Sequence, residues 1–343
     1  MSQRTTVSGR FRRTAVLVAS AAALTLTVSA CGGDSGTTTS SGSGSSGASG
    51  SAITVLRSTG STFEPLYIAQ DQGFFKDQGL DVTITPGAQD TSQNAPSIIK
   101  GEAQFAMTDS SGFIKGAASG LPVKIVSNLQ AATTKAAPSD GLVVPSDSSI
   151  TSFADVEGKT IALPALGGTL QFICMYSAEQ AGADPTKIKF VALPLTSLVD
   201  AVKSKKVDGA YVFATFLDAA KAAGMKAIGQ GTNALPGLPQ ALLFSSDDYL
   251  AKHEDVAKKF TAAVAKAVTY ANANPDAVRA VDTKYTQLPP DYIKNRTIQP
   301  FFSDIDTSSF STIVSGMAKY KLIDKAPDAS ALVWSGAPTA TIK

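Results

Sequence analysis

Gly73-Phe-Phe-Lys-Asp-Gln-Gly-Leu-Asp-Val82 is the stretch that decides the fold, because it joins a helix to a strand over a very short distance. Gly73 lies toward the end of a helix predicted over 65–78, with Pro65 at its first position. Phe74 and Phe75 are suited to pack beneath a sheet. Gly79 permits the tight turn into a strand over 80–85, since glycine tolerates positive φ. The motif is structural and is expected to carry no chemistry.

Short β-rich runs alternate with helical runs on both sides of this stretch. Strands are predicted at 53–57, 80–85, 103–107 and 123–127, and the alternation resumes between 159 and 228 after a strand at 141–144. Strands that alternate with helices are typical of parallel sheets in the α/β class. After a last strand at 240–245 the chain is almost wholly helical. The pattern predicts two α/β lobes followed by a helical tail.

Three segments, in the same order along the chain, resemble one known family. Gly73–Val82 is similar to the GFFK-acid-x-GLDV signature of solute-binding proteins of bacterial ABC importers, in the branch for sulfonates, taurine, nitrate and thiamine-pyrimidine precursors. The segment 98–106 resembles the L-x-x-G-E-A-D-F-A step of that family, with Gln104 in place of the usual acid. The segment 153–162 resembles the F-A-D-L-K-G-K-T-V-A run at the start of its second lobe.

This resemblance implies a two-lobed periplasmic-binding-protein type II fold, also called a Venus flytrap, with the ligand in the cleft between the lobes. Lobe one is expected to comprise 52–146 and 241–343, with the helical C-terminal extension packed on it, and lobe two 147–240. Closure around the ligand is a hinge motion. The loaded form of such a monomeric protein is offered to a membrane permease that a cytoplasmic ATPase drives, and no cofactor is implied.

The first 30 residues have the order of a secretory signal. Arg4, Arg10, Arg12 and Arg13 precede an apolar run over 15–28, then small residues and Cys31. The run is shorter than the roughly 20 residues of a transmembrane helix, which is the alternative reading. Val28-Ser-Ala-Cys31 resembles a bacterial lipobox, so Cys31 is the expected site of lipidation. The pair Arg12-Arg13 leaves both general secretory and twin-arginine export open.

The segment after Cys31 predicts a tether. Residues 32–51 are all Gly, Ser or Thr except Asp34 and Ala48, a composition that favours disorder. A flexible chain of this length has a reach of roughly 25 Å. We therefore expect 31–51 to hold the folded lobes close to the outer face of the cytoplasmic membrane.

Charge and cysteine content exclude several classes. The formal net charge is +2, and removing the four arginines before Cys31 leaves −2, so there is no basic surface for a nucleic-acid partner. Only two cysteines occur, and a lipidated Cys31 leaves Cys174 without a partner for a disulfide. Cys174 shares a predicted helical face with apolar neighbours and is expected to be a small buried thiol.

Candidate ligand-binding residues follow from the rule that ligands of open α/β sheets lie at the carboxyl ends of strands, against the next helices. They are Ser61, Thr62, Phe63, Glu64, Asp109, Ser110, Ser111, Gly167, Gly168, Thr169, Phe213, Thr215 and Phe216. At the helix starts a free N–H group can hold a polar ligand, although an ordinary helix cap uses the same residues. The aromatic residues have two readings, stacking on a flat ligand or packing in the core.

The expected ligand is a small organic molecule. The four segments that hold the candidate residues contain no Arg, Lys or His, and Glu64 would repel a small anion and favour an amine. These features favour a heteroaromatic or amine-bearing molecule, and the family resemblance adds a sulfonate-like one.

Enzyme signatures are absent from the sequence. His253 is the only histidine, which excludes a His-rich metal site, and no Gly-x-Ser-x-Gly motif occurs. The sequence therefore predicts a non-catalytic receptor of an ABC importer. A sensing or scaffold lipoprotein of the same fold is the first alternative, and a secreted enzyme the second.

Overall fold

The computed structural model describes residues 51–58, 62–88 and 90–343 of the chain. The predicted signal segment, Cys31 and nearly all of the predicted tether lie outside these residues. Ser51, the last residue of that tether, is the first residue of a strand. Among the described residues, no helix combines the length and the apolar character needed to cross a membrane.

Strands and helices alternate as the sequence predicts. The strands are β1 (Ser51–Arg57), β2 (Leu80–Pro86), β3 (Phe105–Thr108), β4 (Val123–Ala131), β5 (Asp140–Val144), β6 (Thr160–Leu163), β7 (Lys189–Ala192), β8 (Gly209–Phe213), β9 (Lys226–Ile228) and β10 (Pro239–Ser246). The helices are α1 (Glu64–Asp71), α2 (Phe74–Asp77), α3 (Ala95–Ile99), α4 (Ser110–Ala118), α5 (Thr169–Gln180), α6 (Leu195–Lys203), α7 (Thr215–Ala222), α8 (Asp247–Lys252), α9 (Glu254–Ala273), α10 (Pro275–Tyr285), α11 (Pro290–Asn295) and α12 (Thr307–Lys319).

The stretch Gly73–Val82 forms a helix, a turn and a strand, with one difference from the prediction. The helix expected over 65–78 is divided into α1 and α2, because Gly73 adopts a φ of 76° that an α-helix does not allow. Gly79, with a φ of 70°, makes the turn into β2. Phe75 is buried and stacks on Phe260 of α9 with ring centroids 5.5 Å apart. The motif therefore attaches the first sheet to the C-terminal helices.

The described strands form two sheets of five strands with related topologies. The first has the order β2-β1-β3-β10-β4, and the second has the order β7-β6-β8-β5-β9. In the first sheet β2, β1 and β3 pair in parallel, and β10 runs antiparallel between β3 and β4. In the second sheet β7, β6 and β8 pair in parallel, and β5 runs antiparallel between β8 and β9. Both sheets are therefore mixed, whereas the alternation of elements predicts parallel sheets only.

Two crossovers connect the sheets, at 132–139 and at 229–238. The first crossover ends earlier than the expected lobe boundary at 147, because β5 pairs with β8 and β9 of the second sheet. All five residues of β5 are buried, as a central strand requires. The segment 140–146, which we expected in lobe one, thus contributes its strand to the second sheet.

Three apolar clusters hold the layers together. One lies between the first sheet and α1, α9 and α10, and a second lies between the second sheet and α6 and α7. The third joins residues of both sheets to α4, α5 and α12, with Phe113, Phe172 and Phe310 fully or almost fully buried. Most of the C-terminal helices thus pack on the first sheet as expected, while α12 also contacts α5 of the second sheet.

Cys174 is a buried free thiol on α5, as the sequence predicts. Burial in the apolar cluster raises the pKa of the thiol to about 12. Such a side chain behaves as a small apolar group and is protonated at neutral pH.

The second crossover contacts the first residue of β5, the point at which the first crossover enters the second sheet. Oδ1 of Asp140 accepts a hydrogen bond of 2.7 Å from the backbone N–H of Thr232. Gly231 has a φ of 58°, and a Cβ atom at this position would overlap the carboxylate and the carbonyl oxygen of Asp140. Both the backbone conformation and the close approach therefore require glycine here.

Replacement of Gly231 by alanine tests this contact. Gly224→Ala is the matched control, since Gly224 also has a positive φ of 79° but has nothing within 4 Å of its Cβ position. We expect the control to lower the free energy of unfolding by about 1–2 kcal/mol from its left-handed conformation alone. Gly231→Ala should lower it by a further 2 kcal/mol or so through overpacking. Denaturant titrations of the two variants measure the difference, and equal losses would contradict the contact.

Candidate functional site

A cavity of about 690 Å³ lies between the two sheets. This volume is in the range of small-molecule sites. The first sheet and α1 provide one wall, β8 and α7 the other, and the first crossover and the C-terminal tail close the ends. The lining residues are Thr62, Glu64, Gln130, Ala137, Pro138, Ser139, Phe213, Ala214, Leu217, Asp218, Lys221, Tyr292, Asn295, Arg296, Thr297, Gln299 and Phe301.

The tail reaches the cavity because it pairs with the first sheet. Gln130 of β4 and Phe301 form an isolated antiparallel bridge. Asn272 of α9 holds the Phe301 backbone with two hydrogen bonds of 2.9 Å, one donated by its amide nitrogen and one accepted by its amide oxygen. Arg279 of α10 donates to the carbonyl oxygen of Ile293 in α11 at 2.5 Å. The segment 290–301 is thereby fixed against the first sheet.

Arg296, just after α11, is the central charged group of the wall on the first-sheet side. Its Nη2 lies 2.7 Å from Oε1 of Glu64 and 2.6 Å from Oδ2 of Asp282, and its Nε donates to the same Asp282 oxygen at 2.8 Å. Glu64 is 1% exposed and Asp282 0% exposed, so the three charges interact in a nearly dry environment. Burial, opposed by Arg296, raises the pKa of Glu64 to about 7.

Two lining residues have unusual backbone conformations. Thr62 has a φ of 81° and Ala214 a φ of 48°, and neither is a glycine. They lie on opposite walls, Thr62 before α1 and Ala214 before α7. A left-handed conformation costs about 1–2 kcal/mol per L-residue, and such strain is concentrated at functional sites. The strained pair supports a binding role for this cavity.

The structure brings only part of the predicted site to the cavity. Thr62, Glu64 and Phe213 line it, with the Phe213 side chain 38% exposed. Ser61 lies outside the described residues. Thr215 and Phe216 follow on α7, where Phe216 packs against the second core.

Phe63 is a core residue and does not stack on a ligand in this cavity. It is fully buried, and the guanidinium of Arg57 lies 4.3 Å from the centre of its ring. The turn at Thr62 directs Glu64 and Phe63 into different surroundings, which the sequence alone does not reveal.

The other predicted residues form a separate contact between the starts of α4 and α5. Asp109 accepts hydrogen bonds from the backbone N–H groups of Ser111 and Gly112, and Thr169 donates to it at 3.3 Å. Ser110 donates to the carbonyl oxygen of Pro239, and Gly167 donates to the side chain of Gln171. A Cβ atom on Gly168 would meet Ser111 at 3.9 Å. These groups serve as caps and mutual contacts, and they do not line the 690 Å³ cavity.

Two basic residues of the cavity escaped the sequence analysis. Arg296 and Lys221 line the cavity, although both lie outside the four segments from which the candidate residues were taken. Neither residue lies just after a strand, where the positional rule expects ligand contacts, because Arg296 directly follows α11 and Lys221 lies on the last turn of α7. The absence of basic residues from the four candidate segments is therefore no argument against an anionic ligand in this cavity.

Three proteins of similar sequence or structure are named as binding proteins. A protein of Bacillus subtilis named as the binding protein YtlA is 27% identical over 252 residues, which cover 71% of this chain and 73% of that protein. The taurine-binding periplasmic protein of Escherichia coli is 25% identical over 227 residues, covering 66% of this chain and 68% of the relative. The aliphatic sulphonate binding protein SsuA of Escherichia coli superposes with a TM-score of 0.68 at 16% identity, over 85% of this chain and 94% of that one.

The profile of one sequence family spans most of the described chain. The family described as NMT1/THI5 like matches residues 61–278, which contain the signature Gly73–Val82, both crossovers and the β8 end of the cavity. This chain belongs to the NMT1/THI5-like family.

Proposed function

We propose that this protein is an extracytoplasmic solute-binding receptor that delivers a small organic ligand to the permease of an ABC importer. The observation that carries the proposal is the cavity of about 690 Å³, which residues of both sheets and of the first crossover line. Membership of the NMT1/THI5-like family and similarity to taurine- and sulphonate-binding proteins support it.

The two lobes of the receptor move about the crossovers in this proposal. Lobe one consists of the first sheet with most of the C-terminal helices, and lobe two consists of the second sheet from β5 to β9. Binding in the cavity brings the walls together, as in the hinge closure of other two-lobed proteins. Asp140, Thr232 and Gly231 lie at the point where the crossovers meet, so they define the pivot.

The ligand contacts in this proposal are the predicted residues Thr62, Glu64 and Phe213, together with Arg296 and Lys221. Phe213 offers an exposed aromatic face, which suits a flat or apolar part of the ligand. The charged groups suit a polar part. Heteroaromatic, amine-bearing and sulfonate-like molecules all combine such features.

Attachment to a membrane through Cys31 is part of the same proposal. A lipid on Cys31 and a Gly/Ser/Thr tether over 32–51 place the receptor at the outer face of the cytoplasmic membrane. A single chain of moderate reach then keeps the receptor close to its permease, which raises the effective concentration of one partner for the other.

Identification of the retained ligand and replacement of Phe213 test the receptor role. Native mass spectrometry of the full chain should show a small molecule that survives purification, and calorimetry should then show about a tenfold weaker affinity in Phe213→Ala. Ile99→Ala is the control, because Ile99 is 41% exposed on α3 and does not line the cavity. The proposal fails if nothing is retained and no thermal shift appears with taurine, alkanesulfonates, aminopyrimidines or nitrate.

Replacement of Cys31 tests the anchor. Cys31→Ser keeps the size and polarity of the residue but removes the thiol that would carry the lipid. We expect the wild-type chain to fractionate with membranes and to incorporate labelled palmitate in a bacterial host, and the variant to do neither. Equal membrane association of both proteins would show that another segment holds the chain there.

A further inference from the structure

One oxygen atom of Glu64 lacks a partner although it is buried. Oε1 accepts a hydrogen bond from Arg296 at 2.7 Å, while Oε2 has no hydrogen-bond partner among the described residues. The residue is 1% exposed and lines the cavity. A buried acceptor without a partner destabilises the protein, and it does so more strongly when it is charged. Oε2 is therefore an unsatisfied hydrogen-bond acceptor on a residue that lines the cavity.

The charges around Glu64 do not balance. Two carboxylates, those of Glu64 and Asp282, share the single guanidinium of Arg296. With all three groups ionised the cluster carries a charge of −1 where water has little access. A second oxygen, Oδ1 of Asp282, also lacks a partner, but Asp282 is fully buried behind the wall and does not line the cavity. Glu64 is the residue through which this excess negative charge meets the cavity.

In the part of the chain that the structure describes, no basic group other than Arg296 lies within 4.0 Å of these two carboxylates. Lys221 lines the cavity from α7, yet within the described residues it forms no ion pair with an acid at 4.0 Å or less. Arg57 is engaged elsewhere, since its Nε donates to Tyr67 at 3.2 Å and its Nη1 to the carbonyl oxygen of Ser58 at 2.8 Å. The missing positive charge is thus left for a bound molecule.

On the basis of the proposed receptor function, we propose that the ligand carries a protonated amino or amidine group, and that this group donates a hydrogen bond to Oε2 of Glu64. The charges of Asp282, Arg296, Glu64 and the ligand cation then alternate in sign, and Oε2 of Glu64 gains a hydrogen-bond donor. Asp282 acts as a positioning residue, because it orients Arg296, which in turn orients Glu64. Amides and hydroxyls of the remaining wall, such as those of Gln130, Asn295 and Thr297, are available to other polar groups of the ligand.

Matched ligand pairs test the proposal directly. Taurine and isethionate differ only in an ammonium against a hydroxyl group, as do the 5-aminomethyl and 5-hydroxymethyl forms of 4-amino-2-methylpyrimidine. Calorimetry on the full chain in detergent should show at least tenfold tighter binding of the amine in whichever pair binds. Glu64→Gln should abolish this preference. The control Glu102→Gln should retain it, because Glu102 is exposed, hydrogen-bonds to Ser97 and does not line the cavity.

The outcomes separate this inference from the receptor function on which it rests. Equal affinity for both members of a pair, or an amine preference that persists in Glu64→Gln, overturns the role of Glu64 and leaves the receptor intact. If neither pair binds, the molecule retained during purification decides: a basic nitrogen supports the inference, and its absence overturns it. A chain that binds and retains nothing contradicts the receptor function itself.

The ligand-free protein provides a second measurement. Burial raises the pKa of Glu64 from 4.5 to about 7, while Arg296 opposes the shift and Asp282 adds to it. The folded state thus binds more protons than the unfolded state between these values, so stability falls as pH rises from about 4.5 through about 7. We expect this fall in the wild type relative to Glu64→Gln. Lys221 and Asp218 face the same cavity and are present in both proteins.

Amine affinity should change in the opposite direction. Because the ligand cation requires ionised Glu64, taurine or the aminomethyl pyrimidine should bind more tightly as pH rises through about 7 in the wild type, and this rise should vanish in Glu64→Gln. A difference in the free energy of unfolding between the wild type and Glu64→Gln that stays constant from pH 4.5 to 8 would overturn the proposal, because the negative charge of Glu64 would then already be compensated without a ligand.

Discussion

The rest of the structure depends on one constraint: each sheet contains one strand, β10 in the first and β5 in the second, that the chain forms immediately after it crosses over from the other sheet. β5 completes the second sheet directly after the chain leaves the first, and β10 completes the first directly after the chain returns. Each runs antiparallel between its neighbours, so each crossover leaves an edge strand of one sheet, β4 or β9, and enters the strand next to the edge of the other. This arrangement places the carboxyl end of β8 opposite the start of α1 and thereby creates the cavity between them.

Much of the fold is predictable because local chemistry and tertiary structure agree. Asp109 predicts the start of α4, and its carboxylate caps the backbone there. Gly79 predicts the turn into β2 and adopts the positive φ that the turn requires. The expected lobe boundary at 147 does not match the pairing of β5 for a physical reason: a short, fully buried strand carries no sign of which sheet it joins, since only long-range pairing with β8 and β9 decides this.

The site is less predictable than the fold. Thr62, Glu64 and Phe213 are predictable because they lie at or just after the ends of strands, whereas Arg296 and Asn295 enter the cavity through contacts of the tail with β4 and α10. Asp109 and Thr169 satisfy the same positional rule, yet they hydrogen-bond to one another. A helix start that is already capped has fewer free donors for a ligand, and sequence position does not distinguish the two cases.

The strained backbones at Thr62 and Ala214 bear on how such a receptor can evolve. On either side of the cavity a strained main-chain conformation lies close to a side chain that lines the cavity: Ala214 directly follows Phe213, and Thr62 stands two residues before Glu64. In the proposed receptor, a substitution of the exposed Phe213 side chain changes the surface that the cavity presents to a ligand and leaves the backbone turn at Ala214 in place. On that proposal, diversification of the ligand within one scaffold proceeds by single-residue steps that leave the backbone of the cavity walls unchanged.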